Sequence, residues 1–132
     1  MRGQEAITII CKILTAPNLG VRIFKNNRES NFSGREYIVV NHLPFPQESG
    51  LQEGYVNVNI HVKDSDTDEP DSGRIDEISD LVAPLFKETE DAEGNVYTKR
   101  FGAEFSLYDE SFSDDDDNTH YQNFRIKVTY YN

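Results

Sequence analysis

The sequence predicts an α+β fold: a single, mostly antiparallel sheet of about five strands with two helices packed on one of its faces. One observation is the segment 54–64, GYVNVNIHVKD, which alternates apolar and polar residues as a strand with one buried face does. A second is that segments 4–14 and 74–86 repeat apolar residues at helical spacing. Two helices are enough to cover one face of one sheet, so we expect a single domain over residues 1–132.

The N-terminal part of the chain predicts one helix and two strands. Pro17 ends the helix, and a short strand follows at 21–24. Segment 36–43, EYIVVNHL, is a continuous apolar run typical of a strand covered on both faces or of one at the sheet centre. The polar residues 25–36 are turn formers, and they predict a hairpin loop that is longer than most. The apolar stripe of the helix consists of Ile7, Ile10, Cys11 and Leu14.

The second helix follows the alternating strand and an acidic loop. Asp71 or Ser72 is a suitable N-cap, because the short side chain of either residue accepts a hydrogen bond from the first helical turn. Pro84 lies inside the apolar pattern of 74–86 and therefore predicts either a kink or the last turn of this helix.

The last part of the chain predicts two strands. Segment 88–102 has the composition of an irregular turn or a short hairpin. Segments 103–109 and 120–131 alternate apolar and polar residues, and we expect them to pair as a hairpin around the polar loop 109–118. The expected order of elements is α-β-β-β-α-β-β.

The net charge of −11 is concentrated in the middle of the chain. Residues 1–63 carry seven basic and five acidic residues, a net of +2. Residues 64–117 carry four basic and nineteen acidic residues, a net of −15, and residues 118–132 return to +2. Such a chain lacks the basic footprint that binds nucleic acid by counterion release, so we expect no sequence-specific nucleic-acid partner.

The single cysteine, Cys11, excludes an internal disulfide and suits a reducing compartment. No apolar run approaches the roughly 18 residues of a membrane span, so we expect no membrane partner. The start of the chain carries Glu5 and Lys12 inside its apolar pattern, which predicts an amphipathic helix and not a signal peptide.

The sequence predicts no catalytic residue, cofactor or metal ligand. The spacing Asp64-x-Asp66-x-Asp68 resembles the start of a calcium loop, but positions 6 and 12 hold Glu69 and Ile75 where an EF-hand needs Gly and Glu. A solvated acidic turn is the favoured interpretation. His61 and His120 lie in strands that we expect to be neighbours, so a two-histidine site stays open as an alternative.

Two features favour an interface with another protein. Loop 25–36 carries Arg28, Phe32 and Arg35, and the polar row of strand 55–63 includes Tyr55, Asn57 and His61. Interfaces are enriched in aromatic residues and Arg. A solvated sheet face is the alternative interpretation of the polar row. Three aromatic residues also fall in predicted loops and support an interface: Phe32, Phe45 and Phe112.

The order of these elements resembles that of the tail completion or tail terminator proteins of long-tailed phages. The resemblance rests on the N-terminal helix, the long loop, YVNVNIHVKD, the helix RIDEISDLVAPLF and the final strand NFRIKVTYY, from about residue 21 onward. It implies a non-enzymatic virion protein, assembled in the bacterial host cytoplasm as a ring, usually a hexamer. The ring terminates the tail tube and joins it to the head connector.

The resemblance also implies a position for the acidic residues 114–117. The acidic loop Asp114, Asp115, Asp116 and Asp117 is then expected to line the channel, where like charge repels passing DNA. The competing hypothesis is a monomeric or dimeric binding module for a divalent ion or a carbohydrate, which would use the polar-aromatic sheet face.

Overall fold

A computed structural model of the protein describes residues 1–65, 67, 69–115 and 118–131. It confirms an α+β fold with one sheet and two helices; over these residues the sheet has seven strands, so the prediction of about five was wrong. The helices are α1 (Gly3–Thr15) and α2 (Ser72–Val82), with a 3₁₀ turn over Ala83–Phe86. The strands are β1 (Arg22–Lys25), β2 (Glu36–His42), β3 (Leu51–Lys63), β4 (Thr89–Glu90), β5 (Val96–Arg100), β6 (Ala103–Asp115) and β7 (Thr119–Tyr131).

The sheet is mixed, with the strand order β1-β2-β3-β7-β6-β5-β4. All neighbours are antiparallel except β1 and β2, which are parallel. The polar segment 26–35 is therefore a crossover and not the hairpin loop that the sequence predicts. It returns along the sheet face away from the helices, where the ring of Phe32 lies 5.1 Å from Phe24 and 5.8 Å from Tyr37.

The C-terminal half holds more strand than its acidic composition predicts. Strands β4 and β5 form the short hairpin that was one of the two expectations for 88–102. The predicted hairpin of β6 and β7 is confirmed, but β6 continues in register as far as Asp115, opposite Thr119. Backbone hydrogen bonds to β7 keep this polar segment extended, so the predicted loop 109–118 is mostly strand.

Both helices pack on one face of the sheet, as the sequence predicts. This face, called here the helix face, is built from the alternating apolar residues of the central strands, with Val56, Val58, Ile60 and Val62 on β3. The predicted stripe of α1 is buried against it, and burial raises the pKa of the Cys11 thiol. No helix of the described residues is long and apolar enough to cross a membrane.

Local signals set the ends of α2. The Asp71 carboxylate accepts a hydrogen bond from the backbone N–H of Arg74 at 3.2 Å, which confirms the predicted N-cap. Pro84 falls in the 3₁₀ turn after α2 and therefore marks the last turn. The Arg74 guanidinium also donates to both carboxylate oxygens of Glu36 on β2, at 2.5 and 2.6 Å. This fork ties α2 to the sheet and lowers the pKa of Glu36.

Candidate interaction surface on the open sheet face

The sheet face away from the helices carries a continuous set of polar and aromatic side chains. We call it the open face, although crossover 26–35 covers one corner of it. Residues on neighbouring strands stand directly opposite one another, so they form rows across the sheet. The side chains that carry the site are Tyr37 and Asn41 on β2, Tyr55, Asn57, Asn59 and His61 on β3, and Tyr121, Asn123, Arg125 and Lys127 on β7.

One row is a stack of three rings. Tyr37 is the cross-strand partner of His61, and His61 is the partner of Tyr121. The ring centroids lie 4.6 and 4.9 Å apart, with interplanar angles of 7° and 23°. The Arg28 guanidinium lies over the ring of Tyr37 at 5.5 Å. This places two of the predicted interface residues, the exposed Arg28 and the buried His61, in one stack with specific geometry.

The next rows contain a cluster of four asparagines. The Asn123 side-chain amide donates to the side-chain oxygens of Asn59 at 2.7 Å and Asn57 at 3.2 Å. Asn57 in turn donates to the side-chain oxygen of Asn41 at 2.9 Å. Asparagine disfavours strands because its amide competes for backbone hydrogen bonds. Here the amides bond to one another across three strands, which accounts for two asparagines in the middle of β3.

The next part of the open face holds ion pairs between side chains on neighbouring strands. Arg125 on β7 lies 3.2 Å from the Asp109 carboxylate on β6, and the Lys127 ammonium lies 3.4 Å from Glu53 on β3. Tyr55 packs edge-on against Tyr108 at 5.0 Å between centroids. The open face therefore changes from stacked rings, through amides, to ion pairs along the strands, and most of its side chains contact one another.

A cleft of about 420 Å³ lies where the crossover meets the open face. Its walls are mainly polar: side-chain amides from both the crossover and the sheet, a guanidinium and ring edges. Such a set of donors and acceptors suits a polar group of a partner or a small polar ligand. The lining includes Asn26, Asn27, Arg28, Asn41, Asn59 and Tyr121.

Most of the predicted interface residues reach this surface, but one does not. Tyr55, Asn57 and His61 lie on the open face, and Arg28 and Phe32 lie in the crossover beside it. Arg35 points toward the loop before α2 instead: its guanidinium donates to the Lys63 carbonyl at 3.4 Å and lies 3.9 Å from Asp71.

Sequence reasoning missed the contributions of β2. Tyr37 and Asn41 belong to the open face, but they sit inside an apolar run that predicts a strand covered on both faces or one at the sheet centre. Period-two alternation through Tyr37, Val39 and Asn41 was the available signal, since these three share one face.

The loop predicted over Asp114, Asp115, Asp116 and Asp117 is strand in its first part, and its position along a channel stays a prediction. Asp114 and Asp115 belong to strand β6, and Asp116 and Asp117 lie outside the described residues. The Asp114 carboxylate lies 2.6 Å from Nε2 of His120.

His120 therefore bridges two carboxylates. Its Nδ1 lies 2.5 Å from the nearly buried Asp64 carboxylate, and the Phe112 ring stacks on the imidazole at 5.5 Å. The hydrogen bond and charge of Asp64, followed by Asp114, raise the pKa of His120. Phe112, predicted in a loop, is thus an exposed ring on strand β6.

The two-histidine alternative loses its geometry. His61 stands opposite Tyr121 while His120 stands opposite Val62, so the two imidazoles project from opposite faces of the sheet. Of the calcium pattern, Asp64 is engaged by His120, and Asp66 and Asp68 lie outside the described residues. Within the described part of the chain, no group of three or more metal-ligating side chains converges.

Phe45 has a packing role. Its ring occupies the space that a Cβ at Gly54 would fill, and it packs edge-on against His42 at 6.1 Å. Glycine is therefore required in β3 at this point because the ring covers the backbone directly. The predicted interface role of Phe45 is replaced by this contact with the sheet.

The function proposed below is based on the fold and on the open face, because two comparisons with known proteins found no match. No protein-family model matches the chain, and no curated protein is significantly similar to it.

Proposed function

We propose that the protein is a non-enzymatic structural subunit of a phage or prophage virion, one that assembles as a ring at the head–tail junction. In this role it terminates the tail tube and joins it to the head connector. The observation that carries the proposal is the open face, a broad polar-aromatic surface on a sheet whose helices pack on the other side.

The composition of the open face favours a protein partner. Tyr, His, Asn and Arg side chains hold both apolar area and hydrogen-bonding groups, the combination that protein interfaces select. Their order lowers the entropy cost of binding, because stacked rings and bonded amides lose little freedom when a partner arrives. A face needed only for solubility requires no such cross-strand network.

The sequence of elements and the charge distribution support the head–tail junction as the place. A helix, three strands, a second helix, the short β4–β5 hairpin and a final hairpin follow one another. Apart from the short hairpin, this is the order in which the sequence resembles the tail completion and tail terminator proteins. The exposed carboxylate of Asp114 on β6 belongs to the acidic middle part of the chain. An acidic wall facing the channel repels DNA as it passes.

The test is the state of assembly. Mass in solution and electron microscopy of the purified chain should show a ring, alone or after mixing with the proteins encoded by the flanking reading frames. Those frames should encode portal, capsid and tail-tube proteins. A chain that remains near 15.1 kDa under all these conditions refutes the proposal.

A second candidate is a binding module, favoured by the cleft beside Arg28. The cleft offers several amides, but both faces of the His61 ring are already covered by tyrosines, so a sugar finds no open imidazole face there. Titrations with neutral monosaccharides and with calcium, followed by thermal unfolding, test it. A ligand at about 100 times its Kd adds about 2.7 kcal/mol of stability. An unmoved melting curve rejects this candidate.

A further inference from the structure

Among the described residues, strand β1 and the second part of strand β6 have open backbone edges, one toward each side of the sheet. Strand β1 is the last strand on one side of the sheet. On the other side, β5 pairs with β6 only at Ala103–Phe105, so β6 from residue 106 to Asp115 pairs with β7 alone among the described strands. Unpaired strand edges are templates for another strand.

The two edges carry opposite charge. Strand β1, RIFK, contributes Arg22 and Lys25, and both side chains are exposed. The edge of β6 contributes the exposed acids Asp109, Glu110 and Asp114. Two β6 edges repel each other, and so do two β1 edges, whereas β1 of one copy attracts β6 of the next. Such a contact joins different patches of the same chain, which is the kind of contact that closes a ring.

The topology fixes how these edges meet. Within one chain, β1 runs parallel to β2, and three antiparallel steps lead from β2 through β3 and β7 to β6. Strands β1 and β6 therefore run in opposite directions. In a ring, each neighbour is related to the next by rotation, so β1 meets the following copy's β6 antiparallel, with all helices on the same side of the extended sheet.

The hydrogen-bond pattern shows which residues point outward on β1. The Asn26 amide donates to the Val40 carbonyl of β2 at 2.8 Å. Backbone groups alternate sides along a strand, so the N–H and C=O groups of Ile23 and Lys25 face away from β2. The Lys25 carbonyl also accepts a hydrogen bond from the Asn27 amide at 2.8 Å, so its second lone pair is the one that can meet another strand.

The same reasoning applies to β6. The Asp64 amide donates to the Asn118 carbonyl at 2.8 Å, so the even-numbered residues of β7 face β3 and the odd-numbered ones face β6. The partners of those odd residues on β6 are Asp109, Ser111 and Ser113, which leaves the backbone groups of Glu110 and Phe112 facing the open edge.

We infer that β1 of one copy pairs antiparallel with β6 of a second copy, with Ile23 opposite Phe112 and Lys25 opposite Glu110. This register joins outward-facing backbone groups, puts an exposed ring against an apolar side chain and pairs a cation with an anion. A shift by two residues toward the strand end would set Ile23 against Asp114. The inference rests on the proposed ring and names its subunit contact.

Cysteine cross-linking tests the contact directly. Lys25→Cys and Glu110→Cys are combined in a Cys11→Ala background and exposed to a mild oxidant. Within one chain, β1 and β6 are four strand spacings apart, about 19 Å, beyond the reach of a disulfide. Any bond between these positions therefore links two copies. The expected product is a ladder of reducible oligomers that ends at one size, that of the closed ring.

A matched pair and a charge swap complete the design. Lys25→Cys with Asp80→Cys, an exposed site on α2, should give no ladder. Glu110→Lys and Lys25→Glu should each weaken association about tenfold, since each sets like charges opposite, and the double swap should restore it. Asp80→Lys, with the same change in charge, should leave association unchanged.

The outcomes separate the contact from the ring. If the chain is oligomeric by mass but the Lys25→Cys/Glu110→Cys variant cross-links no more than its control, the contact is wrong and the ring stands. A chain that stays monomeric and forms no ladder, both alone at millimolar concentration and mixed with the proteins of the flanking reading frames, refutes both.

Discussion

Asn123 offers the most direct test of the order in the open face. Its side-chain amide is the donor that connects the side-chain oxygens of Asn59 and Asn57, at 2.7 and 3.2 Å. Asn123→Ala removes both hydrogen bonds, each with a net value of about 1 kcal/mol, and leaves the buried Asn59 oxygen without this donor. We expect a loss of about 2–3 kcal/mol in the free energy of unfolding.

A second substitution at the same position sharpens the result. Asn123→Asp keeps the shape but turns the carboxylate toward two oxygens, so it should destabilise the fold more than alanine does at pH 7 and recover when the carboxyl is protonated near pH 4. Both free energies are measured by urea unfolding, with Asn31→Ala in the exposed crossover as a control within about 0.5 kcal/mol of the unmodified chain.

The refuting result is clear. If Asn123→Ala unfolds within about 0.5 kcal/mol of the unmodified chain, the asparagine cluster does not stabilise the sheet, and the open face is a solvated surface. If both variants are destabilised as expected, the face is an ordered surface.

Three other predictions rest on single contacts. Arg74→Gln breaks the fork to Glu36 and should lower the free energy of unfolding by about 1–2 kcal/mol at pH 7. Because that contact lowers the pKa of Glu36, its stabilisation is present above the ordinary carboxyl pKa and is lost as the pH falls through the lowered value. Urea unfolding at pH 3 should therefore show a smaller difference between the variant and the unmodified chain. His120 has a raised pKa, so its bond to Asp64 stabilises the fold fully below the ordinary histidine pKa, and this stabilisation fades as the pH rises through the raised value. Urea unfolding at pH 6 and pH 8 should show the loss of stability. The loss between these two pH values should be absent in His120→Gln. Phe101 adopts a φ of 52° in the turn between β5 and β6, where a bulky residue is strained. Phe101→Asn should therefore raise the free energy of unfolding, measured in thermal melts, by about 0.5–1 kcal/mol. An unchanged or lower melting temperature would contradict this reasoning.

The outcomes for particular elements show where sequence reasoning succeeds. The alternation in β3 correctly assigned Val56, Val58, Ile60 and Val62 to the core, because a one-residue shift would place them all in water. The stripe of α1 and the Asp71 cap of α2 were equally predictable, since both depend on residues within one or two turns of each other.

The errors concern backbone pairing. The acidic stretch of β6 has the composition of a loop, yet it is held extended as far as Asp115 by hydrogen bonds to β7. The direction of β1 was also wrong, because a polar connection of this length accommodates either a hairpin or a crossover. In both cases the deciding partner lies on another strand.

For the candidate surface too, the residues within one strand were predictable and their partners on other strands were not. The polar row of β3, with Tyr55, Asn57 and His61, was visible from the sequence as one face of one strand. Its partners, Tyr37 from β2 and Asn123 from β7, become neighbours only when the strands pair.

The sequence by itself determined which side of α1, β3 and β7 is buried, the N-terminal cap of α2 and the concentration of acid between residues 64 and 117. The tertiary structure alone decided the strand order, the parallel pairing of β1 and β2, the stacking of His61 between two tyrosines and the placement of the oppositely charged β1 and β6 edges on the two sides of the sheet. The physical reason is the separation along the sequence between the residues that interact. Burial periodicity is written into neighbouring residues, whereas backbone hydrogen bonds between strands are nearly independent of side-chain type and are chosen by the packing of the whole sheet.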